Sequence, residues 1–224
     1  MTAIVFDTET TDIHAPEIIE AAWMPMTIAA SGAEPLQFGA PVSRRYKPAG
    51  RISMGAMAVH HIMEEDLAGC EPSASFALPK DVAYIIGHNV DFDWAAAGSP
   101  SKIKRIDTLC LARKYWPECD SHSLGALAYY LFRPTARQAL KAAHSAQADI
   151  LLTGQLLSEI VRKSGQRIET VEQLWALSEA ARVPEVMPFG KHKGELIAQV
   201  PRDYKMWLLK QPDVDPYLVK ALKG

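Results

Sequence analysis

The chain has 224 residues, of which 48% are hydrophobic and 22% charged, and a formal net charge of −2. That length suits one well-packed domain with a small appendage or two small domains, and that composition argues against extensive disorder. Near-neutral charge excludes global attraction to a polyanion, but not local contacts through basic patches or bound cations.

The three cysteines, Cys70, Cys110 and Cys119, are odd in number and lack a paired short spacing. They argue against a disulfide framework or zinc finger and fit the reduced thiols of a cytoplasmic protein. Met1 leads almost directly into a strand-like run, without the basic and apolar segments of a signal peptide. The most apolar region, Ala21 to Ala30, is interrupted by Pro25 and Thr27 and is too short to cross a membrane, so no membrane contact is expected.

In chain order, Ala3-Ile4-Val5-Phe6-Asp7 reads as a buried strand ending in carboxylates. Further strands are expected from Ile18 towards Met24 and within Val42 to Lys47, and the short links favour antiparallel pairing. Helices are expected around Ser53 to His60 and near Ser73 to Leu78, followed by the strand Ala83 to Ile86. A brief strand at Ile103 to Ile106 precedes Asp107, which reads as the N-cap of a helix ending before Pro117. Ser123 is placed to cap a helix carrying Leu124, Leu127 and Leu131. The clearest helix starts near Ser145: Ala146, Ile150, Gly154, Leu157 and Val161 form one stripe, and Gly165 can end it. Beyond it, Ile168 to Arg182 and Arg202 to Lys210 read as helices. Three leading strands followed by alternating helices and strands describe an α/β sheet of mixed direction.

Asp7 and Glu9 are two residues apart in an extended run, so both carboxylates point to one face at a strand's end. Held that close they repel unless a proton or a metal intervenes, and a hard divalent cation such as Mg²⁺ or Mn²⁺ prefers such oxygen ligands. Taken alone, the pair fits a turn or an exposed strand end equally well. Asp93 follows the strand ending at Ile86, where α/β sheets place functional loops; alone, it or Asp91 reads as the N-cap of a helix through Trp94. Asp149 lies beside the buried stripe of its helix, a costly position for a carboxylate without a partner. His144, just before that helix, is suited to deprotonating water, although a lone histidine at a helix start is usually a capping or surface residue.

The order of these pieces decides between the readings. Asp-x-Glu ends the first strand, His88-Asn89-x-x-Phe92-Asp93 follows a central strand, and His144-x-Ala146-x-x-Asp149 opens a late helix. Together they resemble the three motifs of the DEDDh branch of the DEDD exonuclease superfamily, relatives of the polymerase proofreading (epsilon) subunit. Ile19-Glu20, Val59-His60-His61-Ile62 and Asp107-Thr108 with Leu111-Ala112-Arg113 match further landmarks, and the resemblance spans roughly Ala3 to Lys163.

The resemblance implies an RNase H-like α/β fold with a mixed five-stranded sheet flanked by helices. It implies two Mg²⁺ or Mn²⁺ ions held by Asp7, Glu9, Asp93 and Asp149, with His144 as general base, and release of nucleoside 5′-monophosphates from the 3′ ends of single- or double-stranded DNA. Thr10, Thr11, His60 and Asn89 are the candidates for gripping the terminal nucleotide. Two departures concern end-binding: Asp12 and Ile13 stand where the family usually has Gly and Leu, and His61 where it usually has Gly. RNA is the alternative substrate, since related enzymes degrade it; an inactive nucleic-acid or polymerase-binding module is the other alternative, and would be expected to have lost one of the five catalytic residues. The tail, with Phe189-Gly190-Lys191-His192-Lys193-Gly194, Val200 to Tyr204 and Trp207-Leu208, resembles the small C-terminal module of the exodeoxyribonuclease X family. The expected domains are therefore a nuclease domain at 1–165, a connecting helix at 166–183 and a small module at 184–224.

Overall fold

In the computed structural model, which describes residues 2–29, 34–140 and 144–224, β1 (Thr2–Thr10) is covered on both faces. Ala3, Ile4, Val5 and Phe6 are consequently all buried, as a continuous apolar run in a central strand requires. β2 (Ile18–Ile28) runs antiparallel to β1 and sets Glu9 opposite Glu20. β3 (Leu36–Phe38) and β4 (Val42–Lys47) each pair antiparallel with β2, and the two-residue β5 (Glu71–Pro72) extends β4 in parallel. On the other side, β6 (Val82–Gly87) and β7 (Lys104–Asp107) continue the sheet in parallel with β1. The order is β5-β4-β2-β1-β6-β7, with β3 alongside β2, which makes seven strands. The five expected strands are the five longer ones; β3 and β5, of three and two residues, are the additions. The mixed α/β sheet flanked by helices is the RNase H-like arrangement.

The chain divides into two compact units, Met1–Trp175 and Ala176–Gly224. In the first lie α1 (Met54–His60), α2 (Asp91–Ala96), α3 (Thr108–Tyr115), α4 (Leu124–Leu131), α5 (Arg133–Ala139) and α6 (Ala146–Ser164). Asp107 and Ser123 cap α3 and α4 through their side chains, as expected, and Ser53 and Ser145, at the expected helix starts, cap α1 and α6 in the same way. α6 packs across β1 and β2, and Gly154 permits the close approach: a Cβ there would lie 3.0 Å from the Met24 methyl and 3.3 Å from the Phe38 ring.

Two helix expectations need correction. The segment from Ser73 to Leu78 forms only one 3-10 turn, Ser73–Ser75. The Ser73 hydroxyl donates to the Ile18 carbonyl at 2.6 Å, and Phe76 turns inward to stack on Phe6 and meet Tyr46 edge-on, so the chain is drawn onto the sheet instead of coiling. The helix expected from Ile168 starts only at α7 (Val171–Arg182), because the Thr170 hydroxyl accepts from the Gln173 amide and Ile168 is spent on burial.

In the second unit, α8 (Arg202–Leu208) and α9 (Pro216–Lys223) enclose a core of Met187, Ile197, Val200, Leu208, Leu218 and Leu222. Among the described residues, no helix is long and apolar enough to cross a membrane. Most of the apolar stretch 21–30 lies in β2, and Ala30 falls outside the described residues.

Candidate active site

β1 and β6 are parallel neighbours, and their carboxyl ends open at the same edge of the sheet. The alternation of β1 puts Asp7 and Glu9 on one face while Thr8 is buried on the other. Asp149, four residues into α6, completes the group: one ligand atom each of Asp7, Glu9 and Asp149 lies within 4.8 Å of the others. Asp93, 4% exposed, sits in the first turn of α2 and accepts from both the Thr8 amide (2.9 Å) and the Thr8 hydroxyl (2.8 Å). Asp93 is thereby tied to β1, and it is not the N-cap of α2, a place held by Val90.

Burial of so many carboxylates has an electrostatic cost. Desolvation, reinforced by Asp93, Asp149, Glu9 and Glu20, pushes Asp7 well above the usual carboxylate range. Glu9 rises to about 8 through burial, then through Asp149, Glu20 and Asp93. Asp93 rises to about 7, mainly by burial, against the lowering effect of its Thr8 hydrogen bonds. Asp149 is also raised by burial, and His144 opposes that shift. An all-oxygen donor set whose ionisation is resisted from every side fits a hard divalent cation, which would replace the missing positive charge.

Glu20, 5% exposed, sits at the same place and was legible in the sequence only as a landmark. Its carboxylate accepts from the Ala146 amide at 2.9 Å and from Arg45 Nε at 3.3 Å. It thus fastens the first residue of α6 to β2 and fixes where Asp149 projects. Were the cluster the metal-dependent active site that the sequence resemblance implies, Glu20→Ala would lower turnover about tenfold by loosening that helix end, within the range typical of lost outer partners at metal sites. Glu20→Gln retains an acceptor for the Ala146 amide and should restore most of the rate; equal steady-state rates for wild type and Glu20→Ala would show that the tether is dispensable.

His144 is exposed, lies directly before the Ser145 cap and adopts a left-handed backbone (φ 64°), close enough to Asp149 to influence its ionisation. Beside Glu9 opens a groove of about 420 Å³ lined in part by Thr10, Asp12, Ile13, Val59, His60 and Phe92. His60 is 7% exposed; its Nδ1 accepts from the Ile62 amide, and its Nε2 makes no hydrogen bond among the described residues. Burial holds His60 below the usual histidine range. Thr10 is buried at the groove wall and donates to the Asp12 carbonyl. Thr11 does not line the groove: its hydroxyl accepts from the Glu17 amide. Asn89 is exposed, with a left-handed backbone (φ 67°) held by its amide donating to Asp107. The two departures from the family pattern are also accommodated. The Asp12 carboxylate accepts from the His14 amide, and His61 closes α1 at φ 59°, a conformation that glycine adopts more freely.

The chain is similar to a solved structure of exonuclease X in complex with 5′-overhanging duplex DNA, with a TM-score of 0.57 and 25% identity over 77% of this chain and 99% of that one. The chain shares its fold with exonuclease X. A structure of exonuclease I matches with TM-score 0.56 and 19% identity, over 82% of this chain and 44% of that one. Exonuclease I of E. coli in complex with a dT13 oligonucleotide matches with TM-score 0.54 and 20% identity, over 73% and 41%. The chain therefore spans less than half the length of the exonuclease I structures. Residues 176–213 match the family described as "Putative quorum-sensing-regulated virulence factor". No curated protein sequence is significantly similar to the chain.

Proposed function

We propose that the chain is a metal-dependent 3′→5′ exodeoxyribonuclease that releases nucleoside 5′-monophosphates from DNA ends, single- or double-stranded. The observation that carries this reading is the convergence of Asp7, Glu9 and Asp149 within 4.8 Å on a fold shared with exonuclease X. Asp7, Glu9, Asp93 and Asp149 would hold two Mg²⁺ or Mn²⁺ ions. Such ions supply charge stabilisation for an in-line phosphoryl displacement and raise the acidity of the attacking water. His144, exposed beside Asp149, receives the proton from that water. Thr10 and His60 offer polar atoms to the sugar and base of the terminal nucleotide in the groove beside Glu9, with Thr11 and Asn89 as flanking candidates. The nuclease domain would occupy 1–165, a connector 166–183 and a small module 184–224. Cys70, Cys110 and Cys119 form no disulfide among the described residues, which accords with a cytoplasmic setting.

His144→Ala should cut turnover by about a hundredfold or more, the usual share of general base catalysis, while leaving DNA affinity nearly unchanged. Wild-type turnover should also rise with pH over a range in which the variant's rate stays flat. Identical pH–rate profiles would remove His144 from the base role. Matched DNA and RNA oligonucleotides decide the substrate class: DNA should be degraded faster, and faster RNA degradation would make the chain an exoribonuclease.

A further inference from the structure

The second compact unit holds a cleft far in sequence from the carboxylates. Val186 bridges Leu196 to form a hairpin, closed by Met187 and Glu195, whose tip is the glycine-flanked segment 190–194. Gly190, at φ 76°, lies under the Tyr204 hydroxyl, and a Cβ there would come within 2.5 Å of it, so a side chain at 190 would be strained and would push the Tyr204 ring aside. His192 is fixed by a 2.9 Å hydrogen bond to Glu195 and meets the Tyr204 ring edge-on at 4.6 Å. Tyr204 in turn lies 5.4 Å from the Trp207 ring. Lys191, His192, Pro201, Asp203, Tyr204 and Trp207 line a concavity of about 280 Å³.

Its wall is an aromatic row, and Trp207, although it shares α8 with the buried Leu208, is 53% exposed. Charge selects the occupant. Residues 176–224 carry eight Lys or Arg against six Asp or Glu, whereas residues 1–175 carry sixteen against twenty. The excess is concentrated beside the cleft, with Lys191 and Lys193 in the turn and Arg202 and Lys205 on α8. Aromatic faces bordered by cations suit a flexible polyanion with planar groups, and stacking tolerates every base.

We propose that this cleft binds an unpaired segment of single-stranded nucleic acid, one base stacking on Trp207 and Tyr204 while Lys191 meets the adjacent phosphate. Asp203, on the same wall, can accept from an exocyclic amino group of the stacked base. The choice of nucleic acid as occupant rests on the proposed nuclease function; the cleft itself does not. It gives the chain a second hold on a strand, distinct from the groove beside Glu9.

The test is binding of a fluorescent 20-nucleotide single strand to the full chain in chelator, across a range of salt concentrations. Trp207→Ala should weaken binding about tenfold, within the usual worth of one stacked base, and Trp207→Phe should recover most of it. Lys191→Gln should make the salt dependence shallower by about 0.7 in log–log slope, the share of one phosphate contact on a single strand. Unchanged melting temperatures of the variants show that the core around Leu208 is intact. Equal affinity for wild type and Trp207→Ala, with equal salt slopes for wild type and Lys191→Gln, overturns the proposal. So does loss of binding to a proline-rich peptide, without loss of DNA binding, on Trp207→Ala. Shortening of a tetranucleotide by the wild type with Mg²⁺ is assayed alongside, so that failure of the cleft is told apart from failure of the nuclease reading.

Discussion

Asp149→Asn should reduce phosphodiester cleavage by about a thousandfold or more, because it would remove one of the proposed ligands of a metal whose charge stabilisation would be worth several kcal/mol. The substitution preserves side-chain volume at a half-buried position of α6, so the fold should persist. It also deletes one of the carboxylates that raise the ionisation cost of Asp7 and Glu9. The metal-free variant should therefore melt no lower than the wild type near neutral pH, and Asp7→Asn should behave in the same way. An Asp149→Asn protein with full activity and an ordinary melting temperature would remove Asp149 from the metal site.

The second large effect couples metal, pH and stability. Glu9, at about 8, and Asp93, at about 7, lie far above ordinary carboxylate values. Below the unfolded-state values, both states hold these protons and the stability is fully present. As pH rises, the unfolded chain releases its protons first, so the metal-free folded state loses stability progressively up to about pH 7 to 8, where the folded groups finally ionise. Cations bound at the proposed site would reverse this, because ligands must shed protons to coordinate and only the folded chain gathers them. Mn²⁺ should thus raise the melting temperature strongly at pH 8 and scarcely at pH 5. A thermal-shift titration at both pH values and low salt checks it; equal shifts at the two, or none at either, would contradict a carboxylate metal centre.

The parts legible in the sequence were those that local periodicity controls. The two-residue spacing of Asp7 and Glu9 fixed a shared face, and the stripe from Ala146 to Val161 placed Asp149 towards the sheet. Capping by Asp107 and Ser123 followed from side-chain chemistry alone, whereas Ser53 and Ser145 marked helix starts whose capping the structure adds. The Asp93 anchor did not, because it depends on Thr8, 85 residues away in sequence. Glu20 likewise gains its role only through the β1–β2 register and the Ala146 amide. At Ser73 to Leu78, helical propensity lost to tertiary packing, since Phe76 gains more from the Phe6 and Tyr46 rings than a short helix could supply. α9 was legible but passed over: Asp215 caps it and Pro216 occupies its first turn, a plain helix-start signal.

The most direct measurement is digestion of a single-stranded DNA oligonucleotide labelled at its 5′ end, in Mg²⁺, in Mn²⁺ and in chelator, with products resolved by size and the released nucleotide identified. A 3′→5′ exodeoxyribonuclease should give a ladder of progressively shorter 5′-labelled fragments and free nucleoside 5′-monophosphates with either metal, and no change in chelator. Immediate release of the labelled 5′ nucleotide, internal cuts alone, or equal digestion in chelator would contradict it.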